Sequence, residues 1–244
     1  MKRVQRRKRR ACGILLLAPI MTAAAPVRAA DVFLGLEAGY SSGDFGTGVT
    51  SDLSSLTLSL GATAQDYEFN GSLPYLRLGE GNAGSQSGIG DAVLRAGRNI
   101  ALDAPGDTRL NLAFAVKLPT ADEDKGLGTG ETDVGGFASV SRRWSTVKAT
   151  LSLGYIKVGD PAGLDYNDVV TYGVGLSKNF SRAGGYVSLD GRSAMMDGAD
   201  APLELSAGGF YLLDARYAVT GGVFFGLSDG SADAGANLGL LRRF

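Results

Sequence analysis

Three ionisable residues frame what this chain could do chemically: Asp91, Lys117 and Asp133, the last two bracketing much of the stretch KLPTADEDKGLGTGETDVGG at 117–136. A glycine-rich segment with an acidic lead can cradle a phosphate, hold a cation or cap a pair of strands. Phosphate binding of the nucleotide-loop kind needs glycines that open a helix and a following Lys-Ser/Thr pair, and Gly126, Gly128 and Gly130 come with neither. Asp122, Glu123 and Asp124 supply the oxygens that calcium, or cations bridging lipopolysaccharide, would take. The plainer reading of such a run is an acidic, flexible loop that faces water. The chain contains no histidine, so the usual general base near neutral pH and the commonest metal ligand are both missing. Ser-His hydrolysis is thereby excluded and zinc catalysis disfavoured. No catalytic, cofactor-binding or metal-ligating residue is assigned, and no cofactor is expected.

The N-terminus reads as an export address. MKRVQRRKRR is followed by a short apolar run, unbroken over 14–21, and then by small residues, which is the pattern of a secretory signal peptide. The apolar run is far shorter than the ~20 residues of a helical span. Cleavage is expected after Ala29, with Val27 and Ala29 as the small pair, because a cut after Ala25 would leave Pro26 beside the scissile bond. The twin arginines lack their usual flanking pattern, so general secretion is favoured over folded export. Cys12, the only cysteine, precedes the apolar run, is not placed for lipidation and leaves with the signal. The mature domain, 30–244, then has 244 − 29 = 215 residues and a charge of 16 − 25 = −9, since eight of the 24 basic residues lie in 1–29. Nucleic acid is not expected as a partner.

What must position the three charged residues is a set of strands. In TRLNLAFAVKL, 108–118, Leu110, Leu112, Phe114, Val116 and Leu118 share one face, and Arg109, Asn111, Ala113, Ala115 and Lys117 the other. Period two means strand. The pattern recurs around 32–41, 54–64, 67–78, 91–101, 108–118, 132–142, 147–157, 169–179, 186–195, 203–213, 216–227 and 233–244, about twelve segments of roughly ten residues. That is the length of a tilted strand crossing a bilayer. Short connections alternate with mostly longer ones rich in Gly, Asp, Ser and Asn. A soluble β-sandwich would also show alternation, but long strands, alternating loop lengths and a chain that closes inside a strand at ANLGLLRRF favour an all-β, antiparallel up-and-down transmembrane barrel of about twelve strands, range 10–14, with both termini periplasmic. Terminal Phe244 is an aromatic of the type read by the machinery that inserts outer-membrane barrels; Arg242 departs from the apolar residue usual two positions before it.

Aromatics near the strand ends, among them Tyr40, Tyr67, Phe69, Tyr75, Trp144, Tyr155, Tyr172, Tyr186, Tyr211, Tyr217 and Phe244, are expected in outward belts at the headgroups. Small and hydroxylic residues face inward with Glu37, Glu68, Arg95, Arg109, Lys148, Asp190, Arg192 and Glu204, expected to line the lumen. A sandwich would have to bury those charges. Asp91 at the start of the fourth strand, Lys117 at the end of the fifth and Asp133 at the start of the sixth share the inward parity. They are expected to meet as a charge cluster at the channel mouth, either tying strand tops together and fixing the loop base or filtering solutes. A lateral exit through the wall would need a local strand break, and Pro74, the one proline well inside a predicted strand, is one candidate for it.

LPYLR at 73–77, SGIGDAVLR at 87–95, KLPTAD at 117–122 and GLGTGETDVG at 126–135 occur in an order and spacing that resembles the MetA-pathway of phenol degradation family of outer-membrane proteins. The resemblance implies a Gram-negative outer-membrane barrel of transporter type, and it does not carry phenol over as a substrate. The expected activity is a passive channel for small solutes, hydrophobic or aromatic ones included. Its expected partners are the lipid bilayer and lipopolysaccharide, the barrel-assembly machinery and a small-molecule solute. The alternatives are a non-conducting structural or interaction barrel of the same membrane and, less favoured, a secreted periplasmic sandwich. Barrel enzymes such as outer-membrane phospholipases and omptin-like proteases depend on a histidine that is absent here, so no enzymatic activity is expected.

Overall fold

The computed structural model describes residues 31–44, 50–80, 84–104, 106–161 and 163–244; the expected signal peptide, 1–29, lies outside them. Thirteen strands follow in order: β1 Asp31–Gly43, β2 Ser51–Ala64, β3 Tyr67–Glu80, β4 Ser85–Ile89, β5 Ala92–Ala101, β6 Thr108–Leu118, β7 Asp133–Trp144, β8 Val147–Lys157, β9 Val169–Asn179, β10 Ala183–Arg192, β11 Leu203–Leu212, β12 Tyr217–Gly226 and β13 Ala234–Arg243. β4 and β5 pair with successive stretches of β3 and are two halves of one interrupted stave, so the barrel has twelve staves, all antiparallel. β1 pairs with both β2 and β13, which closes the sheet on itself. A closed sheet leaves no edge whose backbone groups would go unpaired in hydrocarbon.

Closure is fixed by side chains as well as by the ladder. Arg243 Nη2 lies 2.7 Å from Asp31 Oδ2 and its Nε 3.1 Å from Oδ1, a forked pair joining the first strand to the last. The Phe244 amide donates to the Val32 carbonyl at 2.9 Å. At the same end of the barrel the two-residue turns begin at Gln65 and Ser145, with φ of 53° and 56°. These residues adopt the left-handed conformation because tight hairpin turns must match the twist of their strands.

The alternation sorts as two chemically different faces. Leu56, Leu58 and Leu60 of β2, Leu151 and Leu153 of β8, and Leu238 and Leu240 of β13 are all exposed, Leu151 and Leu238 to 65%. Among the described residues no large side chain is fully buried, and the core cluster of buried residues is four side chains at the end that carries the long loops. A sandwich would hold its leucines inside. An exterior band of this kind is suited to hydrocarbon.

Two expectations are corrected. Tyr186 does not belong to the outer belt: it shares the parity of Ser188 and Asp190, its ring lies over Gly208, where an added side chain would collide with it, and its hydroxyl sits against Gly222. β10 also begins at Ala183, three residues before the expected start, which shortens the preceding turn.

Candidate functional site

The fourth stave breaks at Gly90 and Asp91, opposite the top of β6, and the loop 119–132 is folded into that break. The Gly90 amide donates to the Pro74 carbonyl at 2.8 Å. The Thr120 hydroxyl accepts from the Ala92 amide at 2.9 Å and donates to the Gly90 carbonyl at 2.8 Å, replacing ladder bonds that the interrupted strand cannot make. Asp91 turns its Oδ1 to the Ala121 amide at 3.0 Å. Thus KLPTAD is a strand end followed by a clip: Pro119 stops the ladder and the next two residues close the gap.

Lys117 stands beneath the same loop. Its Nζ lies 2.8 Å from Asp133 Oδ2 and 3.6 Å from Asp91 Oδ2, and it donates to Thr129 Oγ1 at 2.8 Å. At 8% exposure the ammonium presents little charge to a passing solute. Burying it is tolerable because Asp133 and Thr129 accept its hydrogen bonds and Asp91 adds a second negative charge. The acidic half of the loop, 122–125, is exposed, and Asp122 is held below the usual carboxylate range by the Lys125 ammonium 3.0 Å away. The glycine half is different. Leu127, Gly128 and Thr129 are buried, with Leu127 against Gly88 of β4 and Gly128 against the Asp91 carboxylate. The expectation of a flexible loop facing water therefore holds only for exposure of its acidic half; the other half is packed into the mouth because an anchored ammonium draws Thr129 inward. Among the described residues no acidic group is arranged to hold a metal ion.

Beside this cluster lies an apolar one. Ile156, Val158, Tyr166 and Val169 are buried together, with Phe137, Leu164, Met195 and Met196 packed on them. Leu164 and Tyr166 come from the loop 158–168, and the methionines from 193–202. The loop 158–168 is stitched down by the Gly159 amide donating to Asp133 Oδ1 at 3.0 Å, by the Tyr166 amide donating to Asp160 at 2.9 Å, and by the Tyr155 hydroxyl donating to Asp168. That last bond holds the Asp168 carboxyl below its ordinary range. Asp133 thus links the charged cluster to the apolar one.

Deeper in the lumen, Glu68 accepts from Asn111 Nδ2 at 3.1 Å and Asn99 Nδ2 at 3.3 Å, and Asn111 also donates to Asn99 at 3.1 Å. Arg95 lies 5.2 Å from the Phe137 ring centroid, joining this polar wall to the apolar cluster. Asp190 and Glu204 are cross-strand partners on β10 and β11, and Arg192 shares their inward face. Glu37 is half-buried at mid-barrel, paired with Thr57 and Gly239. Lys148 pairs with Arg143 at the short-turn end, where Arg109 bends to the Gly106 carbonyl at 3.2 Å. Asp91, Lys117 and Asp133 come together as an ion-paired site, while Asp190, Arg192 and Glu204 share a second patch of wall. Sequence reasoning missed Thr120, Thr129 and Leu127. Thr120 carried a signal, since a hydroxyl just after a strand-ending proline is placed to replace backbone bonds where the ladder stops. It also missed the rings of Phe33, Phe137, Phe210 and Phe224, which lie against Gly61, Gly154, Gly184 and Gly235.

Solved structures share this architecture. The COG4313 outer membrane channel from Pseudomonas putida F1 superposes with a TM-score of 0.76 at 15% identity, over 93% of this chain and 100% of that one. The NanC porin gives 0.57 at 11% identity, over 86% and 100%. The CymD monoaromatic hydrocarbon channel gives 0.52 at 9%, over 88% of each chain. At these identities the likeness is one of fold. No protein-family model matches the chain, and no curated protein matches it.

Proposed function

We propose that this protein is an outer-membrane barrel that passes small, hydrophobic or aromatic solutes by passive diffusion, its loop end outside the cell and its termini in the periplasm. The observation that carries the reading is the mouth. There an apolar lining of Phe137, Leu164, Met195 and Met196 on buried Ile156, Val158, Tyr166 and Val169 stands beside a loop held inward by Lys117. Thioether side chains adapt to irregular apolar guests, and rings and aliphatic groups at an entrance retain a hydrophobic solute long enough to enter. Whole-length likeness to channel folds supports the reading, as does the set of motifs that resembles the MetA-pathway family. Lys117, Asp91 and Asp133 act here as the anchor of the loop. With the ammonium engaged on three sides, a freely exposed filtering charge is the weaker description. Uptake by protein-loaded liposomes tests the function. A small aromatic solute should enter faster than a sugar of equal size, and vesicles that show neither solute uptake nor ion conductance would establish a structural barrel instead.

A further inference from the structure

The end of the barrel where β1 begins and β13 ends has a chemistry that conduction does not use. Four cations stand on the outer face within three residues of the short-turn ends of their strands: Arg98 on β5, Arg142 on β7, Lys178 on β9 and Arg242 on β13. All four are exposed. Each lies over a ring of the outer belt. Arg98 is 5.4 Å from the Tyr67 centroid, Arg142 5.7 Å from Trp144, Lys178 5.4 Å from Phe180, and Arg242 4.5 Å from Phe244 and 5.9 Å from Tyr217. None of the four lies within ion-pair distance of a carboxylate among the described residues; Asp103 of the neighbouring turn is in electrostatic reach of Arg142.

The loop end is built the opposite way. There the outward tyrosines carry oxygen partners: Tyr40 donates to Asp52 at 2.8 Å, Tyr75 to Ser87 at 3.4 Å and Tyr155 to Asp168. One aromatic belt is therefore capped with cations and the other with carboxylates and a hydroxyl. A ring face holds a guanidinium or ammonium through its quadrupole and leaves the N–H groups free. In a belt at the hydrocarbon boundary, that geometry points the free donors to headgroup depth. A cation placed there without a carboxylate needs an anion, and phosphate is the one a bilayer supplies. A net-anionic headgroup offers it without a competing ammonium of its own.

We propose that the girdle of Arg98, Arg142, Lys178 and Arg242 binds anionic glycerophospholipid of the periplasmic leaflet. It anchors the barrel in that leaflet and distinguishes its two ends. This rests on the reading of the short-turn end as periplasmic.

The test uses the barrel refolded into phosphatidylcholine vesicles with and without phosphatidylglycerol. Heat-modifiable gel mobility reports insertion, and native mass spectrometry after extraction reports the lipid retained. The barrel should keep phosphatidylglycerol in excess of its bulk share. That excess should fall as salt rises, and fall about fivefold for each cation replaced by glutamine at low salt. Asp52→Asn with Asp168→Asn should leave it unchanged. A barrel that inserts and keeps the two lipids in bulk proportion overturns the proposal, and so does a folded quadruple glutamine variant with undiminished preference. If the quadruple variant fails to insert, Arg142→Gln and the salt dependence of the unaltered protein decide, and a preference indifferent to both overturns it. Insertion with lipid selectivity but no solute passage would count against the channel alone, so the two readings fail separately.

Discussion

Lys117 shows how one residue can organise a mouth. Its ammonium is shared among Asp133, Asp91 and Thr129, and removing it would leave two nearly buried carboxylates facing each other, which costs on the order of 3 kcal/mol. The cost falls on the loop rather than on the twelve-stave ladder. Lys117→Ala should therefore raise the exchange rate of the amides at 127–130 by about a hundredfold, with the strand amides still protected; unchanged protection of the loop would refute the anchor role. Acid should act through carboxyls of the loops and turns. Asp168 is depressed by the Tyr155 hydroxyl, Asp103 by the Thr108 hydroxyl and amide, and Asp214 by the amides of Arg216 and Tyr217. A folded pKa below the unfolded value of about 3.9 means stability that is full above that value and is lost as pH falls through the folded one. The urea midpoint should thus be level between about pH 8 and pH 5 and drop only below about pH 4. A decline beginning near neutrality would show that other groups dominate.

The interrupted stave is the informative element. A continuous β4–β5 would have carried the alternation through Gly90 and Asp91; instead the wall is completed by Thr120 from a loop. Thr120→Val keeps the shape and deletes both hydrogen bonds, at a cost of about 1 kcal/mol for each partner left unpaired. Faster exchange at the Ala92 amide is the expected result, restored by Thr120→Ser; if valine and serine behave alike, the hydroxyl does not hold the gap. The staves themselves were legible in sequence because period-two patterning is imposed residue by residue when one face meets lipid and the other a polar lumen. The break was not, since Gly-Asp fits a strand start as well as a strand interruption, and only the partner that arrives from 30 residues away distinguishes them. Tyr186 failed for a related reason. An aromatic near a strand end suits a headgroup belt, but its ring fits inward because Gly208 and Gly222 on two neighbouring strands leave room for it.

At the scale of the whole molecule the charge is polarised along the barrel axis. The connections at the loop end, 44–50, 81–84, 119–132, 158–168, 193–202 and 227–233, hold twelve acidic residues (1 + 0 + 4 + 3 + 2 + 2) and one basic, Lys125. The outer rim of the opposite end holds the four ring-capped cations. An acidic entrance raises the local cation concentration within a Debye length of about 10 Å at 0.1 M salt. Reversal potentials across a potassium chloride gradient should accordingly show cation preference that weakens as total salt rises. Anion preference would mean that the lumenal arginines and lysines, not the loops, govern permeation.

By itself the sequence determined the barrel: alternation over twelve segments, alternating connection lengths and the inward parity of Asp91, Lys117 and Asp133, because these are local consequences of standing between lipid and a polar interior. Tertiary structure alone decided that the fourth stave is broken, that half of the loop at 119–132 is buried, and that rings from both wall and loops line the interior. Those outcomes depend on which side chains meet across the lumen, and closure of the sheet, not any local pattern, sets those distances.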